Sequence, residues 1–412
     1  MSEGSKNTNA TKHYLYYPDE ENIPTYLAYG FRAVFLLLAP YIVISSLLWG
    51  ITWAGFITPF EDILTWHIYE FLFGTGIAGI MAFIFTGIPE LFPGMIPFVG
   101  KRLKIIVAIW LLGRISFWLM DFLGVYIVWF INIIPLIWII LWAFKPVVLD
   151  PLQRHSSIGF TITSLLLLQN MFFMAYAGII DIDSMSILKV ALGAFMVLTL
   201  LALRRVNMEA LNEIIENENI DDVFIARPYR YNLAIFTVIL FTTIEFFFPE
   251  NSVSGWVALA CAAAILGILN DYNLRYESIL LKPYTIYLAL IAILMALGYG
   301  FMGYDILDDS IYAINHFRHF LATGAFGLAF FMVMVIISFV HTGRELISNK
   351  IVVIGVSLIV ISTLIRVSIA FYGEYSGILY LISSIIWTIP FVLYIEHFFK
   401  FLLAPRADGI KG

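Results

Sequence analysis

The sequence predicts an all-α, polytopic membrane bundle of about twelve transmembrane helices, with the N- and C-termini both cytoplasmic. Three observations predict it. The chain of 412 residues is 61% hydrophobic and only 13% charged, where a soluble domain carries about 25% charged residues. Its charges fall between apolar runs of roughly 20 residues, the length that crosses a hydrocarbon core of about 30 Å. Lastly, Lys and Arg collect on one alternate set of connecting segments, and the opposite set has none.

The apolar runs place spans near 26–53, 65–88, 102–120, 122–144, 157–180, 185–203, 231–248, 254–270, 284–303, 311–341, 351–372 and 377–403. Each is helical, because a lone segment in lipid satisfies its backbone internally. A polar tail (residues 1–25) precedes this single transmembrane region (26–404) and a short tail (405–412) follows it. The N-terminal tail lacks the apolar core of a signal peptide and reads as a retained cytoplasmic segment. The longest internal connection, 204–230, carries "EALNEIIENENIDD" and reads as an acidic cytoplasmic segment, briefly helical and a solvated linker rather than a site. The basic segments hold Lys101, Arg102, Lys104, Arg204, Arg205, Arg227, Arg275, Lys282, Arg344 and Arg406, among others, which sets the orientation by the positive-inside rule.

The one cysteine, Cys261 in "VALACAAAILG", excludes internal disulfides and cysteine-ligated clusters and reads as a core filler. No phosphate-binding loop, dinucleotide fingerprint or nucleophile elbow occurs in a fitting context. Nothing points to nucleic acid.

Five cations lie inside the spans: Arg32, Arg114, Lys189, Arg318 and Arg366. Such residues are costly in lipid and face the bundle or a wet cavity, although Lys189, close to a helix end, can snorkel. The second span opens "TWHIYEFLFGTG" and the tenth "INHFRHFLATG". His67 with Glu70, and His316 with His319, are each three apart and so share a helix face. With the orientation above, both pairs lie in the outer third of their helices. Two helices presenting such pairs build bundle-core metal sites, and imidazole suits haem iron, copper and zinc. The metal candidates are therefore His67, His316, His319 and Glu70. The alternative is histidines that only hydrogen-bond across helices. Arg318 points away from both neighbours, toward pairing with Glu245 or a cofactor carboxylate. The 22 residues from His319 to His341 span about 33 Å of helix, so His341 belongs to a second site or to none. Beside it, Arg344 in "HTGR" either clamps an anion or anchors the interface. His13, His155 and His397 read as surface residues.

These blocks resemble the NnrS family of haem- and copper-containing bacterial membrane proteins. "GFRAVFLLLA", "WHIYEFLFGTGIAGIMAFIFTGIPELFPG", "IWLLGR", "HFLATGAFGLAFFMVMVIISFVHTGR" and "APRADG" carry the resemblance over nearly the whole chain. It implies twelve helices in a bacterial inner membrane, bound haem (b-type) and copper, and a link to nitric oxide, denitrification and nitrosative stress. His67, Glu70, Arg114, His319, His341 and Arg344 match family positions. Tyr69 stands where a histidine is expected, and "LLLQNMFFM" and span 9 lack histidines expected there. The resemblance makes His67, His319, His341, Arg344, Arg318 and Arg114 cofactor-binding candidates, with Tyr69 and Glu70 as proton donors. Nitric oxide is the implied ligand, and no electron-donor domain is present. Two other functions use the same polar facets: a transporter, marked by broken helices at matched depths, and a partner that delivers haem or metal.

Overall fold

The computed structural model describes residues 23–92, 95–152, 155–249, 251–275, 278–308 and 314–410. The N-terminal tail, with His13, lies outside them, apart from its last few residues. Twelve long helices follow in order: α1 Gly30–Trp53, α2 Ile63–Leu91, α3 Gly100–Trp118, α4 Val125–Val148, α5 Ser156–Tyr176, α6 Ser184–Asn217, α7 Pro228–Phe247, α8 Val253–Tyr272, α9 Thr285–Leu307, α10 Ile314–Val340, α11 Lys350–Ser368 and α12 Ser376–Leu403. Eleven helical stretches among the described residues are long and apolar enough to cross a membrane. The remaining long helix is α3. It packs alongside α1 and α4 as a span does, but Lys101, Arg102, Lys104 and Arg114 dilute its apolar character.

α2 and α10 form the centre. The apolar window of α2 is 78% buried and that of α10 67%, against 28% for the peripheral α7. α1 packs on both α2 and α12, so the first and last helices close against each other, and α6 touches α2 and α10. Small residues set the close approaches. A Cβ on Gly79 of α2 would lie 2.5 Å from the Phe330 ring of α10, and one on Gly76 would lie 2.5 Å from the Phe195 ring of α6. Removing side chains at such points lets helices approach when no hydrophobic drive separates them from lipid.

The central helices share an irregularity that periodicity does not reveal. Each contains a π-helical turn just after its histidines: Glu70–Gly74 in α2 and Phe320–Phe326 in α10. Such turns insert a residue into the α ladder and recur at functional sites. Their matched places strengthen the likeness of the two blocks "FLFGTG" and "FLATG".

The acidic segment after span 6 differs from the linker expected. α6 runs 34 residues to Asn217, about 51 Å, so it projects beyond the hydrocarbon as a helix. Asn212 holds the returning strand-like segment by accepting from Phe224 N at 2.8 Å and donating to Phe224 O at 3.1 Å. The helix persists because Leu211 and Ile215 are buried on one face, leaving the glutamates of the segment on the other. Cys261 is fully buried among α8 neighbours, as a core filler is.

Candidate functional site

The bundle end away from the chain termini, here the distal end, gathers side chains of α1, α2, α10, α11 and α12 into one cluster, the distal chamber. His67 stacks on Trp49 of α1, with centroids 3.7 Å apart and planes 12° apart. Trp49 and Trp53 meet the ring of Tyr380 of α12 at 5.9 and 5.0 Å. Arg366 of α11 lies over that same ring, 4.5 Å from its centroid. Its Nη1 donates to Nδ1 of His316 at 2.9 Å. His319 is near enough to Arg366, His67 and His316 for their charges to act on it, which puts the imidazoles of α2 and α10 in the same region of the bundle.

The ring nitrogens differ in use. Nδ1 of His319 faces the Asn315 carbonyl at 2.9 Å. A carbonyl only accepts, so Nδ1 carries the proton and Nε2 keeps a lone pair, the arrangement that prepares a histidine for a metal. Nδ1 of His67 is buried with no hydrogen-bond partner. In His316 the order is reversed. Nδ1 accepts from Arg366, so the neutral ring carries its proton on Nε2.

Glu70 and Tyr69 lie apart from this chamber, in a buried network deeper in α2. Glu70 Oε2 accepts from Tyr41 and from Arg114 Nη1, the latter at 2.8 Å. Arg114 Nη2 donates to Asn132 Oδ1 of α4. Gln169 of α5 donates to the Tyr69 hydroxyl at 2.9 Å and to the Asn132 carbonyl at 3.2 Å. His67 and Glu70 both face α1, at Trp49 and Tyr41, but their other neighbours differ. Tyr69 and the segment holding Gln169, two places where the resemblance leads one to expect histidines, meet here as a neutral hydrogen bond.

Arg318 pairs with both carboxylate oxygens of Glu245, at 3.1 Å for Nη1 to Oε2, and bonds Asn315 through Nε. Of the two partners the sequence left open for it, the carboxylate of α7 is the one present.

His341 belongs to a separate cluster at the proximal end. Its Nδ1 lies 3.2 Å from Glu90 Oε1, outside hydrogen-bond geometry. That same oxygen accepts from Tyr29 at 2.5 Å. Arg344 stacks on Phe401 at 4.2 Å and donates to the carbonyl and hydroxyl of Thr342. Arg32 donates to the carbonyls of Phe401, Leu402 and Ala404 at the end of α12. Arg406 then ties the C-terminal segment to the His341 carbonyl at 2.9 Å and to Asp408, whose carboxyl its hydrogen bond holds below the ordinary value. Gly343, at φ +72°, takes the left-handed turn that ends α10.

Sequence reasoning missed Trp49, Tyr380, Asn132 and Gln169. For the two amides a signal exists: each interrupts an apolar run, "FINIIP" and "LLLQNMFF". For Trp49 and Tyr380 there is none, since aromatics in lipid-spanning helices are ordinary.

Whether a metal or haem suits the distal chamber is tested by its donors. The orphaned Nδ1 of His67 and the Nε2 lone pair of His319 are each the kind of nitrogen donor a haem iron would take. Among the described residues, no three His, Cys, Asp or Glu side chains converge as metal ligands, so a three-donor copper centre does not fit as the chain stands. The family model described as NnrS protein matches residues 25–406. Neither the curated proteins nor the solved structures contain a match. A match over nearly the whole length, on top of the two central helices with their histidines and matched π turns, means that this chain belongs to the NnrS family.

Proposed function

We propose that this protein holds haem in the distal chamber and acts there on nitric oxide, as a binding protein or a reductase. Membership of the NnrS family makes it a membrane protein of the nitric oxide response. The finer reading is supported by His67 from α2 and His319 from α10 lying within electrostatic reach of each other, with the Nδ1 of His319 already committed to Asn315.

In this reading His67 or His319 would hold the iron of a haem, which when bound would supply a coordination position for a diatomic ligand. Trp49 fixes the plane of His67 by stacking, and Asn315 fixes the tautomer of His319. Copper, which the resemblance also implies, has the same imidazoles available to it and no third donor. Glu70 and Tyr69 serve as proton-bearing groups beneath the chamber, since an intramembrane carboxylate marks a proton path. The chamber end faces the extracytoplasmic side.

A transporter is a different class of function, marked by helices broken at matched depths. α4 and α12 run unbroken past Pro135 and Pro390, and the feature that reading would use is the matched π turns of α2 and α10.

The test is an optical spectrum of protein purified after haem-replete expression, with and without nitric oxide. The expected result is a Soret band that shifts with nitric oxide and is lost in the H67A/H319A double variant. A band of full height in that variant overturns the assignment.

A further inference from the structure

Arg366 stands out among the intramembrane arginines. Arg114 is paired with Glu70, Arg318 with Glu245, and Arg32 with three helix-terminal carbonyls. Arg366 is 7% exposed, and no carboxylate among the described residues pairs with it. Its neighbours are the π face of Tyr380 and a neutral imidazole nitrogen. Its Nε–H is buried with no acceptor. A guanidinium out of water with no counter-charge is costly, and a buried donor without a partner adds to that cost.

The neighbouring imidazole reinforces the point. By accepting from Arg366 at Nδ1, His316 is left as a donor at Nε2. The chamber therefore places a fixed positive charge, an idle Nε–H and an imidazole N–H beside the two histidines assigned to the metal, and no carboxylate among the described residues pairs with them.

The geometry points to an anion site formed by Arg366 and His316, for a small monoanion with planar oxygen acceptors: a nitrogen oxyanion or a carboxylate. Planar oxygens match the guanidinium fork, which binds such groups with charge-assisted hydrogen bonds. Such an acceptor comes from a free anion, or from a carboxylate carried by a bound cofactor. His316 is thereby a donor to the anion and not a metal ligand.

This assignment rests on the reading of the distal chamber as the reactive site, so its test uses metal- and haem-depleted full-length protein in detergent. Nitrite and acetate are the probes, in a bulky sulfonate buffer. The readouts are thermal unfolding and intrinsic fluorescence, to which Trp49 and Trp53 beside Tyr380 contribute. The wild type is expected to show a saturable response and a rising unfolding temperature, as any ligand of the folded state produces. R366Q is expected to weaken nitrite binding at least about tenfold, the loss of a charge-assisted contact. Equal binding by R366Q overturns the site. Should R366Q fail to fold, H316A carries the test. Binding weakened roughly fivefold supports the site, and unchanged binding overturns it.

Haem loading then separates the two sources. A nitrite response that persists in loaded protein identifies a free anion, and one abolished by loading identifies a cofactor carboxylate. Both support the site, provided that R366Q is silent. A Soret band that ignores H67A/H319A, beside an anion response lost in R366Q, sinks the haem reading and leaves the anion site standing.

Discussion

Glu70 and Arg114 show what a single buried pair does at the residue scale. Both are almost wholly enclosed, at 0% and 3% exposure. Tyr41 and Asn132 supply the further contacts that such a pair requires. The pair still leaves Glu70 Oε1 and Arg114 Nε without partners. Replacing a buried ion pair by apolar groups of similar volume is often neutral, while removing one partner strands the other and costs about 3–5 kcal/mol. R114M is therefore expected to lose about that much stability, with the double variant E70L/R114M less destabilised than R114M alone. Thermal unfolding of wild type, E70L, R114M and the double variant in one detergent measures this. A double variant whose loss equals the sum of the single losses would show that the charges do not act on each other.

At the scale of the element, the π turn of α2 is held by α3. Two residues one helical turn apart, Trp110 and Arg114, reach it. Trp110 Nε1 donates to the Gly74 carbonyl at 2.8 Å, and Thr75 donates to the Glu70 carbonyl at 3.3 Å. The Glu70 carbonyl also takes the Thr75 backbone N–H, the i→i+5 step of the turn. A Cβ at Gly74 would lie 2.5 Å from Arg114 Nη1 and 2.5 Å from Glu70 Oε2. G74A must therefore push apart the ion pair or straighten the turn, at about 1–3 kcal/mol for overpacking. Since His67 lies just before the turn, the same change is expected to reduce haem loading as well as unfolding temperature. Unfolding temperature and haem content within error of wild type would show that the glycine is incidental. None of this was legible beforehand. An i→i+5 turn has no periodic signature, and the direction in which Arg114 points follows from how α3 is rotated against α2. The spans themselves were legible, most ends to within about four residues, because lipid demands a continuous apolar run and a self-satisfied backbone. The largest departure is beyond Leu203: outside the hydrocarbon that demand lapses, and α6 continues past the brief helix expected there on the strength of one buried face. The histidine facets were half legible. Spacing put His316 and His319 on one side of α10 and Arg318 on another, as the structure has them. It also put Glu70 with His67, but the neighbours that receive each side chain come from different helices.

For the whole molecule, the distribution of charge bears on which end meets which compartment. The distal connections, 54–62, 119–124, 177–183, 248–252, 308–313 and 369–375, contain no Lys or Arg, while Asp and Glu recur in them. The proximal end carries Lys101, Arg102, Lys104, Arg227, Arg275, Lys282, Arg344, Lys350 and Arg406 in its connections and helix ends. Basic residues in short connections are retained on the cytoplasmic side, and acidic residues contribute little to that choice. Twelve crossings would return the chain to the side on which it began, and by this rule the proximal cluster around His341 and the C-terminal segment held by Arg406 are expected in the cytoplasm. The distal chamber is then expected on the opposite side, within reach of a diatomic gas from lipid and of a small anion from the aqueous phase. Alkaline phosphatase, which folds only after export, is expected to be inactive when fused after Ala407 and active when fused within 177–183. A fluorescent protein that matures only in the cytoplasm should give the reverse pattern. Phosphatase activity at the C-terminal fusion would invert the molecule, turn the chamber toward the cytoplasm and place the supply of its ligands on the other side of the membrane.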